Sequence, residues 1–307
     1  MVRTGIVILV LHAAGCAPFV TAMMVHAPNR CDEMEDKPSS AGKLRRLGVD
    51  RECRVDVGPP DASLRVWVIE PKRAATFHER GTLDPRGTIL MLHGYRGSMK
   101  WIRGMGRRFA KAGYRVVLFD MRGHGNSSGQ YITYGIVEAR DASQTIDWIE
   151  REGLLAGRLG VWGISMGGAT AIRLAADDPR VASVVAVAPY TSMREVVPGV
   201  VRLLMPVGGW LMSDEAIGRC VDDAAEKAGF NPDEADTCAA LRRVTIPTLI
   251  VHGKCDWIVP PSHGRRLCEV NPSHSQVVEI GWTGHIMSHF SAAVGRESIQ
   301  WFDQSLR

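Results

Sequence analysis

The chain has 307 residues, of which 45% are hydrophobic and 23% charged. This is ordinary globular usage, so a disordered chain, a collagen-like chain and a polytopic membrane protein are excluded. The net charge is +4, from 37 basic and 33 acidic residues, and no block of five or more Lys or Arg occurs. Only 7% of the residues are aromatic, so no nucleic-acid partner is expected.

The N-terminus has the features of an export signal. One basic residue, Arg3, precedes an apolar run that starts at Gly5 and leads to the small residues Ala13-Ala14-Gly15-Cys16. A basic start, a short apolar stretch and small residues are typical of a secretory signal. The last four residues also resemble the lipobox of bacterial lipoproteins, in which the Cys is lipidated, but Ala13 stands where that family usually has Leu.

Two other interpretations of this segment stay open. Residues 5–27 contain no Lys, Arg, Asp or Glu, and this length is enough for an uncleaved membrane anchor. The other interpretation is a hydrophobic tail on a cytoplasmic enzyme. We predict a signal, lipoprotein signal or anchor over residues 1–27, a polar linker over 28–43 and one large domain over 44–307. The predicted location is the cell envelope, periplasmic or membrane-anchored, with Cys16 as the candidate lipid site.

The cysteine count agrees with export. The chain has seven cysteines, and setting Cys16 aside leaves an even number that an exported chain could pair. Cys220 with Cys238 and Cys31 with Cys53 are local candidates for pairing. Small buried thiols are the alternative. No Cys or His spacing indicates zinc, and neither a metal nor a cofactor is expected.

From about residue 53, strand and helix signals alternate. The predicted strands are nearly continuous apolar runs, which suit central parallel strands covered on both faces. Helical spacing is found over 134–151 and 169–176. This alternation predicts an α/β fold with a mostly parallel central sheet flanked by helices. The predicted strands cover residues 65–69, 88–92, 115–119, 159–162, 181–188, 248–251 and 276–280.

One interval breaks the alternation. After Pro189 the next strand does not begin until about Pro247, which is too long for a plain loop. The interval has an apolar part over 196–212 and a more acidic part after it. We predict a helical cap inserted at about 190–246, over the strand ends where ligands bind in open α/β sheets. Its apolar part either lines a hydrophobic substrate pocket or simply packs on the body.

The strongest local motif is Gly163-Ile164-Ser165-Met166-Gly167-Gly168. It follows a predicted strand and opens a predicted helix, which is the context of a G-x-S-x-G nucleophile elbow. The serine of such an elbow sits on a tight, strained turn, so the flanking positions cannot carry bulky side chains. We therefore predict Ser165 as a nucleophile, with a plain turn as the alternative.

A serine needs a base, and the base needs a carboxylate to hold it. His285 lies in a Gly-rich loop directly after the last predicted strand, whereas its nearest rival, His289, lies where the final helix could begin. Asp256 follows the strand over 248–251 and should project to the same sheet edge as Ser165. The chain order Ser165, Asp256, His285 is the order expected in α/β hydrolases.

From about residue 60 onward, the sequence resembles the α/β-hydrolase superfamily. Within it, the chain is similar to the serine aminopeptidase-like group, which also holds the Bem46-like and monoglyceride-lipase-like proteins. Besides the elbow, Asp256 and His285, two further segments carry the resemblance. They are Leu92-His93-Gly94-Tyr95-Arg96-Gly97 and Asp120-Met121-Arg122-Gly123-His124-Gly125-Asn126-Ser127.

The resemblance also implies an oxyanion hole. One backbone N–H should come from Met166, the residue after the nucleophile, and the other from Tyr95, the residue after the His-Gly pair. His93 is expected to brace the loop rather than to react. The Arg122-Gly123-His124-Gly125 segment is expected to be a Gly-rich connection whose His is satisfied by local contacts.

Together these features predict a serine hydrolase that cleaves an acyl ester through an acyl-enzyme. An aminopeptidase-like or amide hydrolase is the nearer alternative, and a non-catalytic binding protein of the same fold is the more distant one. The expected partner is a small ester or acyl substrate, with membrane attachment through the N-terminus. The sequence does not indicate the oligomeric state.

Overall fold

The computed structural model of the chain describes residues 17–27, 38–72, 84–205 and 208–307. Within these ranges the strands are β1 (Arg51–Val57), β2 (Ala62–Ile69), β3 (Thr88–Leu92), β4 (Arg115–Phe119), β5 (Leu159–Ile164), β6 (Val181–Val187), β7 (Thr248–Gly253) and β8 (Ser275–Ile280). They form one sheet in the order β1-β2-β4-β3-β5-β6-β7-β8. β1 and β2 run antiparallel to their neighbours, and β3 to β8 run parallel. The predicted fold class is confirmed.

The helices that the structure describes alternate with these strands after β3. Two short 3-10 turns, Pro232–Glu234 and Ile286–His289, supplement them. The helices are α1 (17–25), α2 (Ala41–Leu47), α3 (Met99–Lys111), α4 (Ile136–Arg151), α5 (Met166–Asp177), α6 (Met193–Leu204), α7 (Gly208–Leu211), α8 (Asp214–Ala228), α9 (Thr237–Arg242), α10 (Ser262–Val270) and α11 (Ala292–Ser305).

Helices cover both faces of the sheet. On one face, Phe109 of α3 and Phe302 of α11 pack with Trp162 of β5. On the other face, Ile146 of α4 packs in the same cluster as Val161 of β5. Successive residues of a strand point to opposite faces, so the central strands β3, β5 and β7 bury all their side chains. This explains why the central strands read as continuous apolar runs.

Strand β1 is the element that the sequence pattern missed. It has four charged residues in the seven-residue stretch RECRVDV, and most of its positions are partly or fully exposed. As the edge of the sheet it pairs on one side only, with β2. An edge strand does not need the apolar run that identifies a buried strand, so its sequence gave a weak signal.

The interval that the sequence predicts to be a cap is helical. Between β6 and β7 the chain forms α6, α7, α8 and α9, over the interval that the sequence assigned to about 190–246. Val197 and Val201 of α6 pack with Ile217 and Val221 of α8 in the same apolar cluster as the body. The cap is therefore continuous with the core and is not a separate domain.

The predicted body began at residue 44, yet the described residues before that point pack into the same core. Val20 and Val25 are fully buried and Met24 nearly so. These residues belong to the cluster that also contains β2, α4 and the cap. Among the described residues no helix is both long and apolar enough to cross a membrane. Cys16, the predicted lipid site, lies outside the described residues, so export and lipidation stay predictions.

The described cysteines are free thiols, namely Cys53, Cys220, Cys238, Cys255 and Cys268. The candidate pair Cys220–Cys238 is therefore wrong. Its members lie on different helices, α8 and α9, and the Sγ atom of Cys220 contacts the carbonyl oxygen of Ala17 at 3.8 Å. Cys31, the candidate partner of Cys53, lies outside the described residues.

Candidate active site

Ser165 lies at the junction of β5 and α5 in a strained backbone conformation, with φ 55° and ψ −120°. A Cβ atom on Gly163 would lie 2.0 Å from the carbonyl oxygen of Gly167. A Cβ atom on Gly167 would lie 2.4 Å from the carbonyl oxygen of Leu92. Only glycine fits at both positions, which is the steric requirement of a nucleophile elbow.

The structure brings Ser165, His285 and Asp256 together. The His285 Nε2 atom is 2.9 Å from Ser165 Oγ, and the His285 Nδ1 atom is 2.7 Å from Asp256 Oδ2. An ionised carboxylate only accepts hydrogen bonds, so Nδ1–H donates to Asp256 and Nε2 is left to accept from the serine hydroxyl. The two bonds form a chain from carboxylate to imidazole to hydroxyl, the arrangement of a Ser-His-Asp triad.

Asp256 is held in a turn after β7. Its Oδ1 atom accepts hydrogen bonds from the backbone N–H groups of Ile258 and Val259, at 3.1 and 2.9 Å. Its side chain is buried, and so is the neighbouring His252, whose Nε2–H donates to the carbonyl oxygen of Val259 at 2.7 Å. Burial lowers the pKa of His252, which favours the neutral ring. His252 therefore fixes the turn that aims the carboxylate, a role that the sequence analysis did not assign.

The two predicted oxyanion-hole N–H groups flank Ser165. Met166 follows it at the start of α5, and Tyr95 lies in the loop after β3. Neither backbone N–H donates to another residue in the described part of the chain. A Cβ atom on Gly94 would lie 3.2 Å from Ser165 Cβ, so the two loops are in close contact. Within the described residues, both of these N–H groups near Ser165 thus lack a protein acceptor.

Two histidines brace the loop that carries Tyr95. His93 Nδ1–H donates to the carbonyl oxygen of Gly94 at 2.8 Å, and its Nε2 atom accepts from the Met121 N–H at 2.9 Å. His124 Nδ1–H donates to the carbonyl oxygen of Arg122 at 2.8 Å, which leaves Nε2 to accept from the Arg96 N–H at 3.2 Å. Both rings are fully buried, and burial lowers the pKa of each. Their contacts are those of loop supports.

The segment that begins at Asp120 is held by buried polar contacts. The Asp120 carboxylate accepts from the backbone N–H groups of Met99 and Asn126, at 2.7 and 3.0 Å. Burial raises the pKa of Asp120 to about 6. Arg122 forms a two-point ion pair with Asp141, at 2.6 and 2.7 Å, and both side chains are buried. These buried contacts therefore hold the segment in a fixed conformation.

An apolar cavity of about 380 Å³ opens at Ser165, a volume within the usual range for small-molecule sites. Part of its lining comes from helix α6, in the interval that the sequence assigned to a cap. His285 and Met166 border it at the catalytic end. The residues of α6 that line it are Val196, Val197, Val200, Val201, Leu203 and Leu204.

The mouth of the cavity is also apolar. Trp101, Leu204 and Ile286 line the cavity and remain about half exposed, at 50%, 45% and 59%. Arg96 is the one lining side chain among the described residues that carries a fixed charge, and no Asp or Glu lines the cavity there. The space beside Ser165 thus suits an uncharged, chain-like group.

Sequence reasoning missed several cavity residues. Met23 and Met24 of α1 line the cavity, and so do Tyr134 and Tyr190. No local motif marks them, because their role depends on contacts with distant segments. His289, the rival base, also lines the cavity. It lies in the 3-10 turn, where its Nδ1–H donates to the carbonyl oxygen of Ile286 at 2.9 Å.

No group of His, Cys, Asp or Glu that could hold a metal ion is present among the described residues. The donor set at Ser165 consists of one hydroxyl, one imidazole and one carboxylate that already contact one another. These contacts join the three side chains in one hydrogen-bonded chain.

Comparisons with known proteins match this chain to hydrolases. The family model described as "Serine aminopeptidase, S33" matches residues 83–229. Lysophosphatidylserine lipase ABHD12 of Mus musculus is 26% identical over 258 residues, covering 76% of this chain and 60% of the relative. The thermostable monoacylglycerol lipase of Bacillus sp. (strain H-257) is 24% identical over 214 residues, covering 64% of this chain and 82% of the relative. The chain thus spans less than two thirds of the length of the ABHD12 relative.

A solved structure supports the fold independently. The esterase PF2001 of Pyrococcus furiosus superposes with a TM-score of 0.68 at 20% sequence identity, over 88% of this chain and 97% of the esterase. At this identity the match speaks for the fold alone. The lipase relatives support hydrolase activity. The sheet order and the elbow are those of the α/β-hydrolase fold, and residues 83–229 match the family model of the serine aminopeptidase-like group.

Proposed function

We propose that the protein is a serine hydrolase that cleaves carboxylic esters with an apolar acyl group. The observation that carries this proposal is the hydrogen-bonded chain of Asp256, His285 and Ser165, which ends in an apolar cavity. A binding protein would need neither the strained elbow nor the three-residue chain. The lipase names of the relatives agree with an ester substrate.

The proposed reaction has two halves. His285 Nε2 takes the proton of Ser165 Oγ, and the oxygen forms a bond to the ester carbonyl carbon. The backbone N–H groups of Tyr95 and Met166 stabilise the resulting oxyanion. The bond to the leaving oxygen then breaks, and Nε2 returns the proton to the departing alcohol. Water repeats the same steps on the acyl-enzyme and releases the acid.

The lining of the cavity favours an acyl ester over an aminopeptidase substrate. A free N-terminus carries a positive charge, and an enzyme that holds it needs a carboxylate or oriented carbonyl groups nearby. The described lining residues include no Asp or Glu, and the one fixed charge is the cation of Arg96. An uncharged acyl chain can bury against the valines and leucines of α6 and gains about 0.8 kcal/mol for each methylene group.

A labelling experiment tests the proposed nucleophile. The full chain is expected to react with a fluorophosphonate probe and to hydrolyse p-nitrophenyl esters, and Ser165→Ala should abolish both. Ser213→Ala serves as a matched control, because Ser213 caps α8 away from the cavity. Labelling that survives in Ser165→Ala would overturn the assignment.

A second measurement tests the substrate class. Esters from acetate to laurate are compared with aminoacyl p-nitroanilides. The apolar cavity predicts that kcat/KM rises from acetate to a medium-chain ester and that the anilides are poor substrates. An acetate optimum, or faster anilide cleavage, would favour the amide alternative.

A further inference from the structure

The last turn of α1 is completed by the body of the hydrolase. The last four carbonyl groups of a helix have no partner within the helix. Here the carbonyl oxygen of Ala22 accepts from the His26 N–H at 2.9 Å, and that of Val25 accepts from the Ile132 N–H at 2.8 Å. The hydroxyl groups of two tyrosines of the body donate to the carbonyl oxygens of Met23 and Met24, which lie between Ala22 and Val25. All four groups are therefore satisfied.

These two tyrosines connect α1 to the catalytic loop. The Tyr95 hydroxyl donates to the carbonyl oxygen of Met23 at 2.5 Å, and the Tyr134 hydroxyl donates to that of Met24 at 3.1 Å. The two rings stack with centroids 5.9 Å apart. Tyr95 is also the residue whose backbone N–H belongs to the proposed oxyanion hole. The end of α1 and the catalytic loop are thus positioned by the same side chain.

The chain that follows α1 is equally fixed. His26 forms an antiparallel bridge with Tyr131, and the Ala27 N–H donates to the carbonyl oxygen of Gln130 at 3.2 Å. A Cβ atom on Gly123, whose φ is +68°, would lie 2.9 Å from the Cβ atom of Ala27. The Gly-rich segment after β4 therefore leaves room for the residues that follow α1.

We propose that residues 17–27 are a specificity-determining wall of the acyl cavity and stay in place in the working enzyme. Met23 and Met24 present flexible thioether side chains to the same cavity as Ser165, and such side chains adapt to apolar chains. The inference rests on the proposed ester hydrolase function, because it assigns a role in holding the acyl group.

The wall limits how the N-terminus can attach to a membrane. Attachment at or before Cys16 leaves residues 17–27 in the cavity wall. A bilayer span over residues 5–27 would withdraw Val20, Met24 and Val25 from the core, where they are buried. A complete cavity therefore requires a mode of membrane attachment that keeps residues 17–27 packed on the enzyme.

Two deletions separate these cases. The full chain, a chain without residues 1–16 and a chain without residues 1–27 are compared on the acetate and octanoate esters. The shorter deletion is expected to keep the octanoate-to-acetate ratio of kcat/KM, and the longer one to lower it at least tenfold. An unchanged ratio after the longer deletion, or a comparable fall after the shorter one, would overturn the proposal.

Point variants keep the test decisive where the longer deletion fails to fold. Met23→Trp narrows the cavity and is expected to move the optimum to shorter esters, with a rise in KM for octanoate of about tenfold. Phe19→Ala is the matched control, because Phe19 lies on the same helix, is 61% exposed and does not line the cavity. If the preferred ester chain length is unchanged in Met23→Trp, or shifts equally in Phe19→Ala, residues 17–27 do not determine the chain-length specificity.

Fluorophosphonate labelling of the full chain distinguishes the two possible failures. Suppose that the full chain is labelled at Ser165 but that the changes in residues 17–27 leave the preference for ester chain length unaltered. The assignment of residues 17–27 as a cavity wall is then wrong, and the proposed ester hydrolase function is unaffected. If a folded full chain is neither labelled nor active on any ester, the proposed function fails, and the assigned wall fails with it.

Discussion

The carboxyl edge of the sheet and the walls of the cavity above it depend on the sequence in different ways: the edge on local patterns, the walls on residues far apart in the chain. At the edge, Ser165, Asp256 and His285 each follow shortly after a strand, and Ser165 also lies within a short motif. In the walls, Met23 and Val200 come from segments far apart in the chain, and neither lies in a motif. The chemistry depends on local backbone geometry, whereas the shape of the cavity depends on packing between distant segments.

The largest expected effect tests the edge. In Asp256→Asn the amide can offer an N–H group to His285 Nδ1, which favours the tautomer that cannot accept from Ser165. We expect kcat to fall about 10⁴-fold while the fold persists. The measurement is ester hydrolysis by the purified variant, with its melting temperature as a check on folding.

His289→Asn is the control for this comparison. It changes a residue that lines the same cavity, and within the described residues its ring donates to the carbonyl oxygen of Ile286 and not to Ser165 or Asp256. A loss of kcat in His289→Asn as large as that in Asp256→Asn would break the assignment of His285 as the base.

Some residues at the carboxyl edge of the sheet can be predicted from the sequence, and others cannot. The elbow at Ser165 can be predicted because only glycine fits two positions before and two positions after the serine. This steric demand leaves a recognisable pattern in the sequence. His252 was missed because a buried histidine at the end of a strand has no distinctive spacing. β1 was missed because an edge strand tolerates charges. The sequence predicts Met24 to lie in a signal or membrane anchor, because an apolar stretch has the same composition in a signal, an anchor and a helix packed on a core.

The next effect concerns stability at the edge. In Arg122→Met, the buried Asp141 loses both of its guanidinium hydrogen bonds. Breaking a buried pair from one side leaves an uncompensated charge, so we expect the free energy of unfolding to fall by about 3–5 kcal/mol. Chemical denaturation measures it.

The double variant Arg122→Met/Asp141→Leu sharpens the point. It replaces both charges with apolar groups, and its stability is expected to recover most of the loss. A double variant as unstable as the single one would mean that the segment needs the ion pair itself, for instance to hold the carbonyl oxygen of Pro60, to which Arg122 also donates.

A smaller effect depends on pH. Burial raises the pKa of Asp120 to about 6 in the folded protein, from an unfolded value near 3.8. The folded state therefore binds the proton more tightly, and stability from this group is lost as the pH rises from about 4 to above 6. The shift corresponds to at most about 3 kcal/mol.

Asp120→Asn isolates this contribution, because the amide does not titrate. The difference in unfolding free energy, wild type minus variant, is expected to be larger at pH 4 than at pH 7. A difference that grows with pH would mean that the two backbone N–H donors of Met99 and Asn126 outweigh burial and favour the carboxylate.

The smallest effect lies where the two regions meet, at Tyr95. Its backbone N–H belongs to the proposed oxyanion hole, and its hydroxyl holds the carbonyl oxygen of Met23. Tyr95→Phe keeps the N–H and removes the hydroxyl, at a cost of about 0.5–1.5 kcal/mol for one hydrogen bond. We therefore expect KM for the octanoate ester to rise about 2–10-fold, with a smaller change in kcat. Tyr134→Phe, which frees the carbonyl oxygen of Met24, should behave alike. A fall in kcat as large as the fall in kcat/KM would instead tie the hydroxyl to the chemical step, and the division between edge and wall would not hold at this residue.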